Sequence, residues 1–135
     1  MQLKGAQSSD YLAQLLRRGS LFIQHSVTAQ NGDTEGLGVA ILEAMASALP
    51  VVFTRHSGIP EAVEESVTGL LVEERDLKAM ASAMSELLEN PDRAVAMGVA
   101  GRKRVLAHFT QKQARDRLRA VMGFPPIEDG QACAA

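Results

Sequence analysis

The chain has little cysteine, few aromatic residues and no marked excess of either charge. Its 135 residues include one cysteine, Cys133, so neither an internal disulfide nor a metal site of paired thiols can form. Four Phe, one Tyr and no Trp are too few for a base-stacking surface, and the net charge of -2 argues against a basic nucleic-acid surface. No apolar run reaches the roughly 20 residues of a membrane-spanning helix. These absences predict a soluble, cytoplasmic protein.

The length and the apolar content are those of a single globular domain. Hydrophobic residues make up 46% of the chain, which is enough to bury one core at this length. We expect the domain to cover residues 1–123. Residues 124–135 contain proline, glycine and alanine without periodicity, and we interpret them as a disordered tail or an expression remnant.

Hydrophobic periodicity and turn residues predict three short strands that alternate with helices. We expect the strands at 21–23, 51–54 and 69–72 and the longer helices at 10–18, 36–49, 77–89, 92–108 and 111–122. Asp10 and Asp76 are predicted to cap helices, Pro50 to end the second helix, and Pro60 to begin a short one. Strands separated by helices with short connections favour a parallel sheet. The predicted class is therefore α/β, with a partial Rossmann-like sheet of about three strands covered by helices.

Polar and glycine-rich segments follow the first two predicted strands. In parallel sheets of this kind, ligands bind beyond the carboxyl ends of the strands. The segments "QHS", "DTEGLG" and "RHSGIPE" are expected to meet there. Gly36 and Gly38 precede one helix and Gly58 precedes another, so backbone N–H groups can approach a phosphate or a sugar hydroxyl at either place. The alternative for the glycine pair is a simple turn, and the two interpretations have about equal weight.

Two glutamates flank the start of the second predicted helix. Ten of the fourteen residues from 36 to 49 are Leu, Val, Ile, Ala or Met, and Glu43 is the only charged residue among them. This composition predicts a helix that is buried nearly all round, in which an ionised Glu43 needs a partner. The partner can be a ligand with hydrogen-bond donors or a cation such as Arg55. For Glu35 the alternative to ligand binding is a favourable interaction with the helix dipole.

Two histidines and a basic run are weaker candidates. His25 and His56 follow predicted strands near the expected cleft, so each is a candidate contact to a phosphate or a sugar, although most loop histidines are only polar surface residues. The run Arg102 to Arg104 is compatible with a lipid or an acidic acceptor. A solvated helix face is the more common role of such a run.

Together these segments resemble a known family. Between Leu21 and Phe109 the chain contains, in this order, "EGLGVAILEAMA", "LPVV", "SGIPEAV", "TGLLV" and "GRKRVLAHFT". The same segments in the same order make this stretch similar to the donor-nucleotide half of retaining glycosyltransferases of the GT-B fold, the group 1 family with two glutamates separated by seven residues. The resemblance implies that the chain is the C-terminal part of a donor domain.

The resemblance also implies roles for individual residues. Glu43 would accept hydrogen bonds from the ribose hydroxyls of a nucleoside diphosphate sugar, and Glu35, the implied catalytic residue, would face hydroxyls of the donor sugar. The backbone of Gly36, Leu37 and Gly38 would lie against the sugar and the diphosphate. His25 and Gly58 complete the expected donor-binding set.

The implied reaction moves a hexose to an acceptor hydroxyl with retention at the anomeric carbon, in polysaccharide or glycolipid synthesis. The family works without a bound metal, which agrees with the lack of an Asp-x-Asp motif here, and no cofactor other than the donor sugar nucleotide is implied. In relatives the cations that bind the diphosphate, and the acceptor half, lie upstream of the stretch seen here. We therefore expect the chain alone to be inactive, and we expect the full enzyme to be cytoplasmic or peripheral to the membrane.

Two other interpretations of the function, and an expectation about self-association, stay open at this point. A non-catalytic nucleotide-binding or receiver-like module has the same α/β pattern, and a phosphorolytic or epimerising enzyme can have the same fold. A receiver-like or flavodoxin-like module is disfavoured because the chain lacks a cluster of acidic residues on strand ends combined with a late lysine, and lacks a Ser/Thr-Gly phosphate loop after its first strand. A three-stranded part of a larger sheet would expose an edge, which predicts a homo-oligomer formed through that edge or through helices.

Overall fold

A computed structural model describes residues 5–28 and 38–125. In order along the chain, the elements are α1 (Ser9–Arg18), β1 (Phe22–Gln24), α2 (Val39–Ala46), β2 (Val51–Thr54), α3 (Ile59–Ala62), β3 (Leu70–Val72), α4 (Leu77–Glu89), α5 (Pro91–His108) and α6 (Gln111–Val121). The predicted α/β class is confirmed. The expected tail lies almost wholly outside the described residues, so the domain boundary stays a prediction.

The three strands form one parallel sheet in the order β1-β2-β3. Phe22 pairs with Val51 in the first ladder, and Val52 pairs with Leu70 in the second. The middle strand, β2, is buried along its whole length. Each crossover runs through a helix, as parallel neighbours require. All three strand ends therefore point to the same edge of the sheet.

The core lies on both faces of the sheet, because successive residues of a strand point to opposite sides. Val51 and Phe53 face a cluster formed with α2, α3 and α5, whereas Val52 faces a second cluster formed with α4 and α5. The first cluster contains Ile41, Ala44, Met45, Leu49, Val51, Phe53, Ile59, Val63 and Val105. The second contains Val52, Leu70, Val72, Met80, Ala83, Leu87, Ala94 and Met97.

The N-cap residue was predicted wrongly for α1 and correctly for α4. Helix α1 is capped by Ser8, whose hydroxyl accepts from the Tyr11 N–H at 3.3 Å, and not by Asp10, which lies in the first turn. An acidic residue is favourable there as well, because the N-terminal end of a helix is positive. Helix α4 has the predicted cap, since the Asp76 carboxylate accepts from the Ala79 N–H at 2.9 Å.

Helix α2 ends earlier than predicted. Its last residue is Ala46, and Ala48 then takes the left-handed conformation with φ of 60°. The Leu49 N–H donates back to the Ala44 carbonyl at 3.1 Å and closes the turn. Pro50 therefore follows the end of the helix but does not cause it.

The C-terminal turn of α2 is held by α5. A Cβ atom on Gly98 would lie 2.1 Å from the Ala48 carbonyl oxygen, so this position admits no side chain without movement of the backbone. Arg102 donates from its guanidinium to the Ala46 carbonyl. The two helices are thus in close contact, with a glycine and an arginine at the point of approach.

Arg104 also has a structural role. Its guanidinium donates to the carbonyls of Ala62 at 2.8 Å and Glu61 at 2.9 Å, at the end of α3. Carbonyls at the end of a helix lack partners within the helix, and a cation is favourable there. Two members of the basic run therefore bind the ends of α2 and α3, which is neither of the interpretations drawn from the sequence.

Candidate functional site

The ends of β1 and β2 are joined by polar contacts. The Ser26 N–H donates to the Thr54 hydroxyl at 2.9 Å, and that hydroxyl donates to the Ser26 carbonyl at 2.7 Å. Thr54 is fully buried, so its hydroxyl is satisfied within the fold. The predicted convergence of "QHS" with the end of β2 is confirmed.

The end of β3 joins the same group through Glu74. One carboxylate oxygen accepts from the Thr28 N–H at 2.9 Å, and the other accepts from the Thr28 hydroxyl at 3.1 Å. The second oxygen also lies 2.5 Å from His56 Nδ1. A carboxylate can only accept, so Nδ1 carries the proton. Glu74 therefore binds the segments that follow both other strands.

These contacts favour the ionised form of Glu74. The hydrogen bond from His56 and then those from Thr28 outweigh desolvation and lower the pKa of the Glu74 carboxyl from 4.5 to about 2. The side chain is about one-quarter exposed. Glu74 is thus a fixed negative charge at the carboxyl edge of the sheet throughout the physiological pH range.

The two histidines have different environments. His25 is exposed, and its Nε2 accepts from the backbone N–H of Arg75 at 3.2 Å. His56 is only 2% exposed, and its Nε2 is buried without a hydrogen-bond partner in the part of the chain that the structure describes. His25 is therefore attached to the turn after β3 and His56 to the Glu74 carboxylate.

Glu43 is not buried, contrary to the prediction. Ile41, Ala44 and Met45 face the sheet, whereas Val39 and Glu43 lie on the outer side of α2 and are exposed. The composition of the helix was misleading because residues three and four apart share a face, and only one face packs on the core. The cost of burying an unpaired charge therefore does not apply to Glu43.

The predicted alternative partner of Glu43 is wrong too. Arg55 pairs with Glu65 at 2.9 Å and with Glu73 at 3.2 Å, at the exposed side of β3. No hydrogen bond or ion pair of the Glu43 side chain is found within residues 5–28 and 38–125. Its carboxylate is open to a molecule from outside.

A cavity of about 290 Å³ lies beside Glu43. Its walls are mainly apolar and come from α1, β1 and α2, with Leu12, Leu15, Leu16, Phe22 and Ala40 among the lining residues. Glu43 supplies the charged group at this cavity. An apolar cleft with few polar groups is the usual form of a small-molecule site.

The predicted donor loop lies partly within the described residues. Glu35, Gly36 and Leu37 lie outside the described residues. Gly38 is the N-cap of α2 in an extended conformation, and no side chain of the described residues caps that helix end. Gly58 is the N-cap of α3, which has only four residues and therefore a small dipole.

The sequence reasoning missed Glu74, Thr28 and Thr54. The rule that ligands and polar groups gather at strand ends was applied to the first two strands and not to the third. Applied to "LLVEERD", it would have indicated Glu73 and Glu74. Thr28 gives no such signal, because its role depends on a contact across the sheet.

Within the described ranges, no three His, Cys, Asp or Glu side chains are grouped in a way that could hold a metal ion. Over the same ranges, no helix is long and apolar enough to cross a membrane. At the strand ends, the structure brings polar groups together around Glu74. The open carboxylate of Glu43 lies elsewhere, at the apolar cavity.

Comparison with characterised proteins places these features in a family. Residues 1–104 match the family model described as glycosyl transferases group 1. The amylovoran biosynthesis glycosyltransferase AmsK of Erwinia amylovora is 36% identical over 122 residues, which are 90% of this chain and 30% of that protein. A GDP-mannose-dependent alpha-(1-6)-phosphatidylinositol monomannoside mannosyltransferase of Mycobacterium tuberculosis is 48% identical over 77 residues, 57% of this chain and 20% of the relative. The chain thus spans about 30% or less of the length of these relatives.

Solved structures of other proteins share the fold of this chain. Sucrose-phosphate synthase from Thermosynechococcus elongatus superposes with a TM-score of 0.73 at 28% identity, over 88% of this chain and 29% of that one. Anabaena Alr3699/HepE in complex with UDP-glucose gives a TM-score of 0.73 at 22% identity, over 83% of this chain and 29% of that one. The expected fold, a partial donor domain of the GT-B type, is confirmed. By its family match and its relatives, the chain belongs to the group 1 glycosyltransferases.

Proposed function

We propose that this chain is the donor-binding part of a retaining glycosyltransferase that uses a nucleoside diphosphate hexose. In the reaction, the bond between the anomeric carbon and the diphosphate oxygen breaks. A bond from that carbon to the acceptor oxygen forms, and the proton of the acceptor hydroxyl passes to the leaving diphosphate. The hexose thereby moves to the acceptor with retention of configuration, and the nucleoside diphosphate leaves.

The observation that carries this proposal is the open carboxylate of Glu43. It stands on the outer side of α2 at an apolar cavity and has no partner among the described residues. A carboxylate can accept from two neighbouring hydroxyls, such as those of a ribose. Hydrogen bonds to a charged group contribute about 1.5–3 kcal/mol. Glu43 is thus assigned to the nucleotide.

The remaining roles concern the sugar and the diphosphate. Glu35 is assigned to the hydroxyls of the donor hexose and acts at the catalytic centre. The backbone of Gly36, Leu37 and Gly38 is assigned to the sugar and the diphosphate. The N-terminal end of α2 supports this, because no described side chain caps it and N–H groups at a helix start favour an anion.

His25 and Gly58 complete the proposed donor site. Both lie just past a strand at the carboxyl edge of the sheet, where the ligands of such sheets are found. His25 already accepts the Arg75 N–H at Nε2, so a ligand would meet its other ring nitrogen. The short α3 offers little dipole, so Gly58 would act by allowing close backbone approach.

The acceptor and the location follow from the relatives. One relative is named for amylovoran biosynthesis and another for a phosphatidylinositol monomannoside. We infer that the acceptor is a hydroxyl of a growing polysaccharide or a glycolipid. The full enzyme would then work in the cytoplasm or at the membrane surface. We propose that transfer needs no bound metal and no cofactor beyond the donor.

The chain by itself is proposed to be inactive and self-associating. It spans about 30% of the first relative, and the acceptor site is assigned to sequence beyond this part. In the described residues no strand pairs with the outer side of β1. Unpaired strand edges and exposed apolar side chains favour association, so a homo-oligomer through this edge or the nearby helices is expected.

A binding experiment on the full-length protein tests the assignment of Glu43. We expect Glu43→Ala to weaken binding of the preferred nucleotide about 10–100-fold, because charged hydrogen bonds to the ribose are lost. The melting temperature should stay unchanged, since the side chain is exposed. Isothermal titration with UDP, GDP and ADP and with UDP-glucose and GDP-mannose measures this.

Two controls sharpen the experiment. Glu89→Ala removes another exposed helical carboxylate, at the end of α4, and should change nothing. Glu35→Ala should lower turnover more than nucleotide affinity, because its contact is to the sugar. Unchanged affinity in Glu43→Ala would contradict the proposed site. Sugar release that requires orthophosphate would instead indicate a phosphorolytic enzyme.

A further inference from the structure

One carboxylate joins the carboxyl ends of all three strands. Thr28 follows β1, His56 follows β2 and Glu74 follows β3, and both other residues bond to the Glu74 carboxylate. Three hydrogen bonds on one side chain fix its position and, through it, the two other segments. This group does not touch the open carboxylate of Glu43 in the described part of the chain.

The turn that carries Glu74 is itself constrained. Arg75 has a φ of 66°, a left-handed conformation that is unfavourable for a residue with a side chain. In this conformation its N–H donates to His25 Nε2 at 3.2 Å. Strained backbone conformations persist where the surroundings determine them, and they cluster at functional sites.

These contacts hold two segments of the proposed donor site. His25 is held by the Arg75 N–H, and Gly58 lies two residues after His56, which is held by the Glu74 carboxylate. Through these bonds, the turn after β3 is connected to the two described segments that are assigned to the donor, those with His25 and Gly58.

The neighbouring carboxylate shows what an ordinary surface pair looks like. Glu73 is 75% exposed and, in the described part of the chain, pairs only with Arg55, which is 45% exposed. Such exposed pairs contribute little, because water and salt screen them. Glu74, by contrast, is about one-quarter exposed and bonds to a residue that is nearly fully buried. The two adjacent residues therefore form a matched pair for experiment.

We propose that Glu74 is a positioning residue for glycosyl transfer, which orients the loops at the ends of β1 and β2 against the donor sugar. This inference rests on the proposed function and adds to it a residue that does not touch the donor. Glu43 keeps the nucleotide in place, so loss of Glu74 should disturb the sugar and the diphosphate more than the nucleotide.

Kinetics of the full-length protein test the proposal. Misplacement of reacting groups by about 1 Å costs on the order of 100-fold in rate. We expect Glu74→Ala to lower kcat about 10–100-fold, with the affinity for free UDP or GDP within about twofold of the wild type. Glu74→Gln retains an oxygen that can accept from Thr28 and should restore part of the rate. Glu73→Ala is the matched control and should behave as the wild type.

The stoichiometry of nucleotide binding distinguishes a positioning role of Glu74 from a role in folding. A purely structural role would lower the number of binding sites per chain and the turnover in equal proportion, and that result would overturn the inference. Full turnover in Glu74→Ala would overturn it as well. If the wild type neither binds a nucleotide nor transfers a sugar, the proposed function itself fails, which is a distinguishable result.

Discussion

The two edges of the sheet differ in the side chains that lie along them. At the β3 edge, the Leu71 N–H donates to the Glu65 carboxylate at 3.1 Å, and Arg55 pairs with the same carboxylate at 2.9 Å. At the β1 edge, Ile23 is 39% exposed, and the adjacent helix α1 has no buried residue. Charged side chains at an edge prevent the addition of strands, whereas an apolar edge favours it. The comparison indicates that the sheet is closed on the β3 side and suited to extension on the β1 side.

The largest expected difference in stability is between a Leu→Ala substitution on the β3 side of the sheet and one on the β1 side. Leu87 in α4 is 2% exposed, whereas Leu15 in α1 is 41% exposed. Leu87→Ala should lower the free energy of unfolding by about 2–5 kcal/mol, through lost burial and a residual cavity. Leu15→Ala should cost less than about 1 kcal/mol. Urea denaturation of the two variants measures the difference, and equal losses would remove the proposed asymmetry.

Acid should release the contact that crosses the sheet from the β3 side to the β1 side. The pKa of Glu74 is lowered from 4.5 to about 2, so the folded state favours the ionised carboxylate. The stabilisation is complete above pH 4.5 and is lost as the pH falls toward 2. We expect the stability difference between the wild type and Glu74→Gln to shrink over this window. Urea titrations at several pH values test this, and a constant difference would contradict it.

A smaller effect is expected at the closed edge. Glu65→Ala removes the acceptor of the Leu71 N–H and one partner of Arg55, which should cost about 1 kcal/mol. Glu64→Ala is the control, because that carboxylate is 56% exposed and its ion pair, to Arg104, is 3.6 Å long. Chemical denaturation compares the two. A larger loss in the control would show that the edge contact is unimportant.

The smallest change in stability is expected at the open edge. Ile23→Lys places a charge in the middle of β1 and should change the free energy of unfolding by no more than about 0.5 kcal/mol. The same change should convert the proposed oligomer into a monomer. Val121→Lys, at a position 87% exposed on α6, is the control and should leave the oligomer intact. Light scattering after size exclusion gives the result, and a monomeric wild type would contradict the proposed association.

Much of the fold was predictable because local signals and packing agree. The spacing of Met80, Leu87 and their neighbours behind the Asp76 cap gave α4 with its correct start, and the apolar run after Pro50 gave β2 with its observed bounds. The end of α2 was not predictable in the same way. It depends on the left-handed Ala48 and on its contact with Gly98, which is fifty residues away in sequence.

The site was predicted less completely than the fold. The resemblance singled out Glu43, but the assumption that this residue is buried was wrong, because hydrophobic composition does not say which face of a helix packs. The role of Glu74 depends on Thr28, which lies forty-six residues earlier. Contacts of this kind form only when three strand ends meet, so no local pattern in the sequence predicts them.

Gly98 has a consequence for ligand affinity. Because α5 lies against the Ala48 turn and Arg102 binds the Ala46 carbonyl, α2 is fixed at its C-terminal end. Its N-terminal end, at Gly38, is the one assigned to the donor. A helix that is already immobilised loses little conformational entropy when a ligand binds. If Glu43 binds the nucleotide as proposed, the affinity should therefore depend on position 98, at the opposite end of α2 from Gly38.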